Sequence, residues 1–253
     1  MALTTASAAV CVAGVGGLVV LSQSRRLKSW VFAKLWLLRG EQRCHQALAS
    51  AKTALFRQQP LRGRVLDVGT GAGLQLDNLV RSPDLDHLVC VEPNPFFTHK
   101  LKDSVSRAHI LRKELGLSPV CIEIFPGTVE EYLEAGAGGA AASFDNVTCL
   151  LVLCSIPDPQ AVLGLLYERC LRPGGHLYFL EHVAAPKGTF QRILQVAVQP
   201  VWDLVGDGCH LCRETGHTIQ CCGAWGKCDI RPVVPDHFLP VPFLVGWAQK
   251  PGS

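Results

Sequence analysis

Short apolar runs alternate with longer amphipathic stretches through the middle of this chain. Val65-Leu66-Asp67-Val68, His87-Leu88-Val89-Cys90-Val91, Val120 to Phe125, Phe144 to Ile156 and His176 to Leu180 are each closed by glycine, proline or an acid, which predicts five strands. The run from Phe144 to Ile156 is too uniformly apolar for a half-exposed strand. It fits the buried middle of a parallel sheet, with Pro157 and Pro159 closing it. Helical spacing marks Glu41 to Phe56, Phe96 to Leu115, a short stretch around Glu130, Glu131 and Tyr132, and Gln160 to Leu171. Pro60-Leu61-Arg62-Gly63 ends the first of these, and the alanine and glycine run from Ala135 to Ala142 reads as a flexible loop. Strands alternating with helices predict an α/β fold, doubly wound around a mainly parallel sheet, with its ligand site beyond the carboxyl ends of the strands.

The N-terminus follows a different pattern. Residues 2 to 21 carry no charged side chain, close to the roughly 20 apolar residues that cross a bilayer. Arg25, Arg26 and Lys28 follow, then Trp30, Phe32, Leu35, Trp36, Leu37 and Leu38 interleaved with Lys34 and Arg39, an anchoring chemistry suited to a membrane interface. The expectation is an anchoring segment over 1–39 and a catalytic domain over 40–253. No basic region precedes the apolar run, as a cleaved signal peptide would require, and the basic residues on the domain side favour a cytosolic domain. The first acid is Glu41, so an acid-poor mitochondrial presequence is the alternative.

Composition narrows the function classes. A net charge of +3 spread over 253 residues argues against a phosphate-tracking nucleic-acid surface. The most basic stretch, His99 to Lys113, reads as a solvated helix face. Of twelve cysteines, Cys90, Cys121, Cys149 and Cys154 fall inside strand-like runs, which predicts buried thiols in a reducing compartment. Cys209 and Cys212 have the spacing of a zinc half-site, with Cys221, Cys222, Cys228, His210 and His217 nearby. No second half repeats that spacing, so ordinary thiols and no metal are expected.

The chemistry-bearing stretch is Asp67-Val68-Gly69-Thr70-Gly71-Ala72-Gly73. A dinucleotide loop uses Gly-x-Gly-x-x-Gly to bring backbone N–H groups onto a pyrophosphate, but here the third glycine comes one position early and Leu74 occupies its slot. S-adenosylmethionine carries a sulfonium and an ammonium instead of a phosphate, and Asp67, two residues before the first glycine, suits such a cation. Glu92, at the end of the second strand, stands where the fold sets a carboxylate against ribose hydroxyls, a device both cofactors share.

The order of motifs resembles the seven-strand class I S-adenosylmethionine-dependent methyltransferases over residues 60 to 185: the glycine loop, Glu92, Phe144-Asp145, and Leu171-Arg172-Pro173-Gly174-Gly175. Glu92-Pro93-Asn94-Pro95, Leu151-Val152-Leu153-Cys154-Ser155, Phe179-Leu180-Glu181-His182-Val183-Ala184 and Asp207-Gly208-Cys209-x-Leu211-x-Arg213-Glu214 are similar to the small membrane-associated thiol S-methyltransferases of the methyltransferase-like seven group. The resemblance implies a seven-stranded Rossmann-like sheet and S-adenosyl-L-methionine held by Asp67, Gly69, Thr70, Gly71, Gly73, Glu92, Pro93, Thr128, Leu153 and Cys154. It also implies methylation of small alkyl thiols at endoplasmic reticulum membranes and lipid droplets. Three positions depart from the group: Glu92 replaces Asp, Thr128 follows Gly127 where an acid is usual, and the chain past Cys221 does not match.

A thiol near pKa 8.5 is already a few per cent thiolate at pH 7, whereas an oxygen acceptor needs a definite base. His182 and Asp207 are the candidates for one. Phe190, Val198, Trp202 and Trp225 would cover the site and face the membrane, with core packing as the plainer reading. An oxygen or nitrogen acceptor on a lipid, quinone or protein is the alternative within the class, and a catalytically idle membrane scaffold the alternative outside it.

Overall fold

In the computed structural model, residues 24–136, 143–236 and 241–252 are described. Among them, seven strands form one sheet in the order β3-β2-β1-β4-β5-β7-β6. They are β1 (Gly63–Val68), β2 (Leu85–Val91), β3 (Cys121–Phe125), β4 (Phe144–Leu150), β5 (Leu171–His182), β6 (Lys227–Val233) and β7 (Phe243–Gln249). The first five are parallel, and β7 runs antiparallel between β5 and β6. The α-helices among the described residues are α1 (Arg25–Leu35), α2 (Glu41–Ala47), α3 (Ala49–Gln58), α4 (Leu76–Leu79), α5 (Thr98–Glu114), α6 (Val129–Glu134), α7 (Pro159–Leu165), α8 (Phe190–Val205) and α9 (Thr215–Cys221).

Strand periodicity sends Leu66, Val68, Val89, Val91, Val147 and Phe179 into one apolar cluster and Val65, Leu88, Cys90, Tyr178 and Leu180 into the other. Both faces are therefore covered, which is why the strands read as nearly continuous apolar runs. β1 lies between β2 and β4, so the chain leaves it in one direction and returns on its other side. That reversal opens a crevice at the carboxyl ends, where doubly wound folds bind ligands.

The sheet departs from the sequence pattern in one place that matters for the site. The apolar run beginning at Phe144 stops being a strand at Leu150. Leu151 takes a left-handed backbone, φ 63°, and the chain turns so that the Val152 and Leu153 N–H groups both donate to Glu181 Oε1 at 2.9 Å. A buried carboxylate thus captures two donors that a strand would have given to its neighbour.

Three smaller differences have local causes. The helix expected over 41–56 is divided at Leu48 into α2 and α3, the second running on to Gln58. Arg112 on the basic face of α5 is buried, where its guanidinium donates to the carbonyls of Ser118, Val80 and Ser82. Cys121 sits on edge strand β3 and is exposed, while Cys90, Cys149 and Cys154 are buried; all cysteines among the described residues are free thiols.

Residues 1–23, with most of the expected membrane anchor, lie outside the described residues, as does 137–142 of the expected loop. Among the described residues no helix is long and apolar enough to cross a membrane. Residues 25–38 pack onto the fold: Phe32 meets Phe97 edge-on at 6.2 Å, and Asn94 Nδ2 donates to the Ser29 carbonyl at 3.1 Å.

Candidate active site

A cavity of about 1340 Å³ lies over the carboxyl ends of β1, β2, β4 and β5. Its floor is the glycine turn after β1 and the turns after β2 and β4; its cover is α1, α8 and the turn around Asp207. Ligand pockets typically occupy about 300–1,000 Å³, so two reactants can be held together here.

The glycine turn is closed by bonds to the end of β2 and within itself. Gly69 and Thr70 donate to the Val91 carbonyl at 2.8 and 3.3 Å, Gly71 donates to Glu92 Oε2 at 2.7 Å, and Gly73 donates to the Thr70 carbonyl at 3.1 Å. With these N–H groups occupied, the turn presents no nest for a pyrophosphate, and what faces the cavity is a carboxylate. Gly69 has φ 67°, and a Cβ there would collide with Val152.

Glu92 is fixed by a second bond, Asn94 N–H to Oε1 at 2.8 Å. A carboxylate has about four lone-pair sites, so roughly two stay available for a diol. Burial pushes its carboxyl up to about 7, against the two backbone N–H groups that favour the charge, and Asp207 and Asp67 repel it further. Asp67 itself is wholly buried beneath the turn. Its Oδ1 accepts from Thr148 on β4 at 2.6 Å and its Oδ2 from Gln75 at 3.5 Å. Burial raises it to about 6, offset by the hydrogen bond from Thr148.

The opposite wall carries sulfur. Cys154, in the turn after β4, His182, at the end of β5, and Cys209, after α8, all line the cavity and are all buried. His182 Nε2 is 3.1 Å from Cys209 Sγ. Contact with Cys154, against the cost of burial, and contact with His182 hold the Cys209 thiol well below its ordinary range; Cys154 is pushed up by the same contact and by burial. Burial lowers His182, but the Cys209 contact outweighs it and leaves the imidazole raised.

Side-chain bonds centred on Asp207 tie the cover to the floor. Asp207 takes φ 47°, its Oδ1 accepts from Ser29 Oγ on α1 at 2.8 Å, and its Oδ2 accepts from Asn94 Nδ2 at 3.1 Å. Helix α8 is held from inside by a polar residue, Gln195, whose amide bonds Ala185 N–H and the Val183 and Leu211 carbonyls at 2.8–2.9 Å.

Comparison with known proteins agrees with this geometry. A methyltransferase-domain family profile matches residues 40–220. Thiol S-methyltransferase TMT1B of Rattus norvegicus is 35% identical over 221 residues, covering 82% of each chain, and TMT1A of Homo sapiens is 33% identical over 203 residues, covering 77% of each. The chain belongs to this methyltransferase family. An O-methyltransferase family protein from Burkholderia thailandensis shares the fold, with a TM-score of 0.60 at 16% identity over 92% of this chain and 62% of that one.

The cofactor of the methyltransferase is S-adenosylmethionine. The floor fits it on its own chemistry: a buried carboxylate with unspent lone pairs beside a turn whose amides are already bonded.

Of the residues singled out in the sequence, Gly69, Thr70, Gly71, Glu92, Pro93, Thr128, Cys154, His182 and Asp207 line the cavity. Asp67, Gly73 and Leu153 stand behind its wall. Asp67 braces β1 to β4, and Leu153 is buried in the core. A Cβ on Gly73 would press on Leu101 and Ser104 of α5. Thr128 caps α6, its hydroxyl accepting from Glu131 N–H at 3.3 Å while its own N–H donates to Glu131 Oε2 at 2.7 Å, so its polar groups are spent locally.

Trp202, Val198 and Leu194 line the cover, but Trp225 does not. It packs edge-on against Tyr167 at 4.9 Å and donates to the Ile219 carbonyl. Glu181, Gln195, Ser29 and the convergence of Cys209 with Cys154 and His182 were not foreseen. Only the unbroken Glu181-His182 pair at a strand end could have signalled the first.

Proposed function

We propose that this methyltransferase transfers the methyl group of S-adenosylmethionine to small lipophilic thiols delivered from a membrane surface. The observation that carries the reading is the pairing of the Glu92 floor with a buried, sulfur-lined wall at which both candidate bases already hold partners. Asp207 is engaged on both oxygens, and His182 faces Cys209. A thiol acceptor suits this wall better than an alcohol, because it needs desolvation more than deprotonation. The two relatives named thiol S-methyltransferase support the same choice.

Bound S-adenosylmethionine supplies an electrophilic methyl group on a sulfonium, open to in-line displacement. Glu92 would accept the ribose hydroxyls, and the closed glycine turn would set the depth of the cofactor beneath the cover. Val152, Leu194, Val198 and Trp202 keep the acceptor side apolar. Holding the two sulfur centres in line is the effect expected to dominate, since proximity can supply about 7–11 kcal/mol.

The membrane part of the reading rests on the inversion of α8. Gln195 is 2% exposed, whereas Phe190, Ile193 and Val201 are 79%, 62% and 64% exposed. Arg25, Arg26 and Lys28 lie on α1, which packs beside α8. An apolar face with cations on the neighbouring helix suits an interface of anionic lipid, and by resemblance that membrane is the endoplasmic reticulum or a lipid droplet.

The test is transfer of a labelled methyl group to a matched panel of alkyl thiols, alcohols and amines by full-length protein in detergent. Transfer to thiols alone is expected. Transfer to alcohols or amines at comparable rates would move the acceptor to oxygen or nitrogen.

A further inference from the structure

Three side chains able to ligate a thiophilic metal meet at the acceptor wall, brought there by three separate connections of the fold. Sγ of Cys154, Sγ of Cys209 and a ring nitrogen of His182 all lie within 4.8 Å of one another. Zinc bonds of about 2.3 Å to sulfur and 2.0–2.1 Å to nitrogen imply tetrahedral edges of about 3.6 Å for S···N and 3.8 Å for S···S. The observed His182–Cys209 separation of 3.1 Å reaches that with a shift of about half an ångström. A second observation points the same way. His182 is 7% exposed, and its Nδ1 is buried with no hydrogen-bond partner among the described residues, so this buried imidazole meets a thiol at one ring nitrogen and nothing polar at the other. Buried imidazoles are seldom left so poorly satisfied.

We propose that Cys154, His182 and Cys209 form a three-ligand zinc site whose fourth position opens into the cavity and takes the sulfur of the acceptor. Two thiolates and an imidazole select a thiophilic ion over magnesium or calcium. Three protein ligands with one open position is the arrangement of reactive zinc, whereas structural zinc has four. The site is distinct from the Cys209-Cys212 half-site visible in the sequence. Cys212 is not part of the group, and Cys221 pairs with His217 instead.

The inference rests on the thiol acceptor proposed above and says how it is held. On binding zinc, the acceptor thiol loses its proton to solvent. A sulfur lone pair forms the new S–CH3 bond while the sulfonium S–CH3 bond breaks, its electron pair remaining on the departing sulfide. The product thioether is neutral, a poorer ligand than the thiolate, and leaves the ion.

The test is metal binding by full-length protein in detergent under reducing conditions, with zinc alone as the first probe and cobalt as its spectroscopic substitute. The account expects one zinc per chain and a thiolate-to-cobalt charge-transfer band that shifts when a small alkyl thiol is added. Cys209→Ala and His182→Asn should each weaken zinc binding at least about 100-fold, a loss no smaller than those seen for outer-shell partners, while Cys212→Ser leaves it unchanged. The cobalt spectrum of the unaltered protein carries the test if a variant does not fold. Substoichiometric zinc with no charge-transfer band overturns the site, as does zinc lost on Cys212→Ser but kept on Cys209→Ala. Full-rate methylation of thiols by metal-free protein refutes the zinc site alone, whereas one bound zinc with no thiol methylation refutes the proposed acceptor and keeps the ion.

Discussion

The floor and the cover of the cavity are built on opposite plans. The floor is made of strand ends and the turns that follow them, with polar groups closed by backbone N–H bonds: Glu92 to Gly71 and Asn94, and Glu181 to Val152 and Leu153. The cover is made of α1 and of α8 with the Asp207 turn that follows it, two segments far apart in sequence that are held to each other and to the floor by side-chain bonds. Its helix α8 is inverted, with a polar residue buried and apolar ones exposed. A rigid floor suits a cofactor of constant shape, and a loosely tied cover suits an acceptor that must enter and leave. The difference teaches that cofactor binding and acceptor choice can be changed separately.

The largest break should come at Glu92. Glu92→Ala removes the acceptor of two backbone N–H groups and of the ribose, and is expected to weaken S-adenosylhomocysteine binding by about 100-fold, or about 3 kcal/mol, read by calorimetry. Slightly smaller is Glu181→Ala. It leaves the Val152 and Leu153 N–H groups unpaired in the interior and should cost about 2–3 kcal/mol of stability, read as a lower urea midpoint.

On the cover, Asp207→Ala removes both ties and keeps an unfavourable backbone at φ 47°, so acceptor KM should rise by about tenfold, the equivalent of 1.4 kcal/mol. Asp207→Gly loses the same ties without the left-handed strain and should be more stable than Asp207→Ala by about 1 kcal/mol. If both variants leave KM unchanged, the Asp207 tie does not position the cover. Phe190→Asp with Ile193→Asp should abolish flotation with anionic vesicles while changing stability by no more than about 0.5 kcal/mol.

The smallest effect is in pH. Glu92 is raised to about 7 from 4.5, with Asp207 and Asp67 facing it as like charges. Between those values the native state holds a proton that the unfolded state has lost, so this group's contribution to stability falls as pH rises through the window. Ribose hydroxyls donate to the charged form, so S-adenosylhomocysteine affinity should rise up to about pH 7 and level off. The rise should vanish in Glu92→Gln.

What was legible follows the same division. The glycine turn, Glu92 and the alternating strands could be read because each is a contiguous pattern. The alternation of strands with helices explains the doubly wound, mainly parallel sheet. Asp67 shows how far motif reading goes: the residue is central, but as a brace to Thr148 beneath the turn and not as a wall of the cavity. The run past Leu150 looked like strand because its residues are apolar. It turns because Glu181, distant in sequence, captures its N–H groups. Cys209 has half-site spacing with Cys212, three residues away, while its partners in space, Cys154 and His182, come from elsewhere in the chain. The cover was opaque because an inverted helix has the apolar content of a core helix and nothing local says which face is in.

The most direct test of the separation between floor and cover is the affinity for S-adenosylhomocysteine measured on Glu92→Ala and Trp202→Ala side by side. The account predicts about a 100-fold loss for the floor variant and an affinity within about twofold of the unaltered protein for the cover variant. Equal losses in both would show that the cofactor is held by the cover as much as by the floor, contradicting the division on which the proposed function is built.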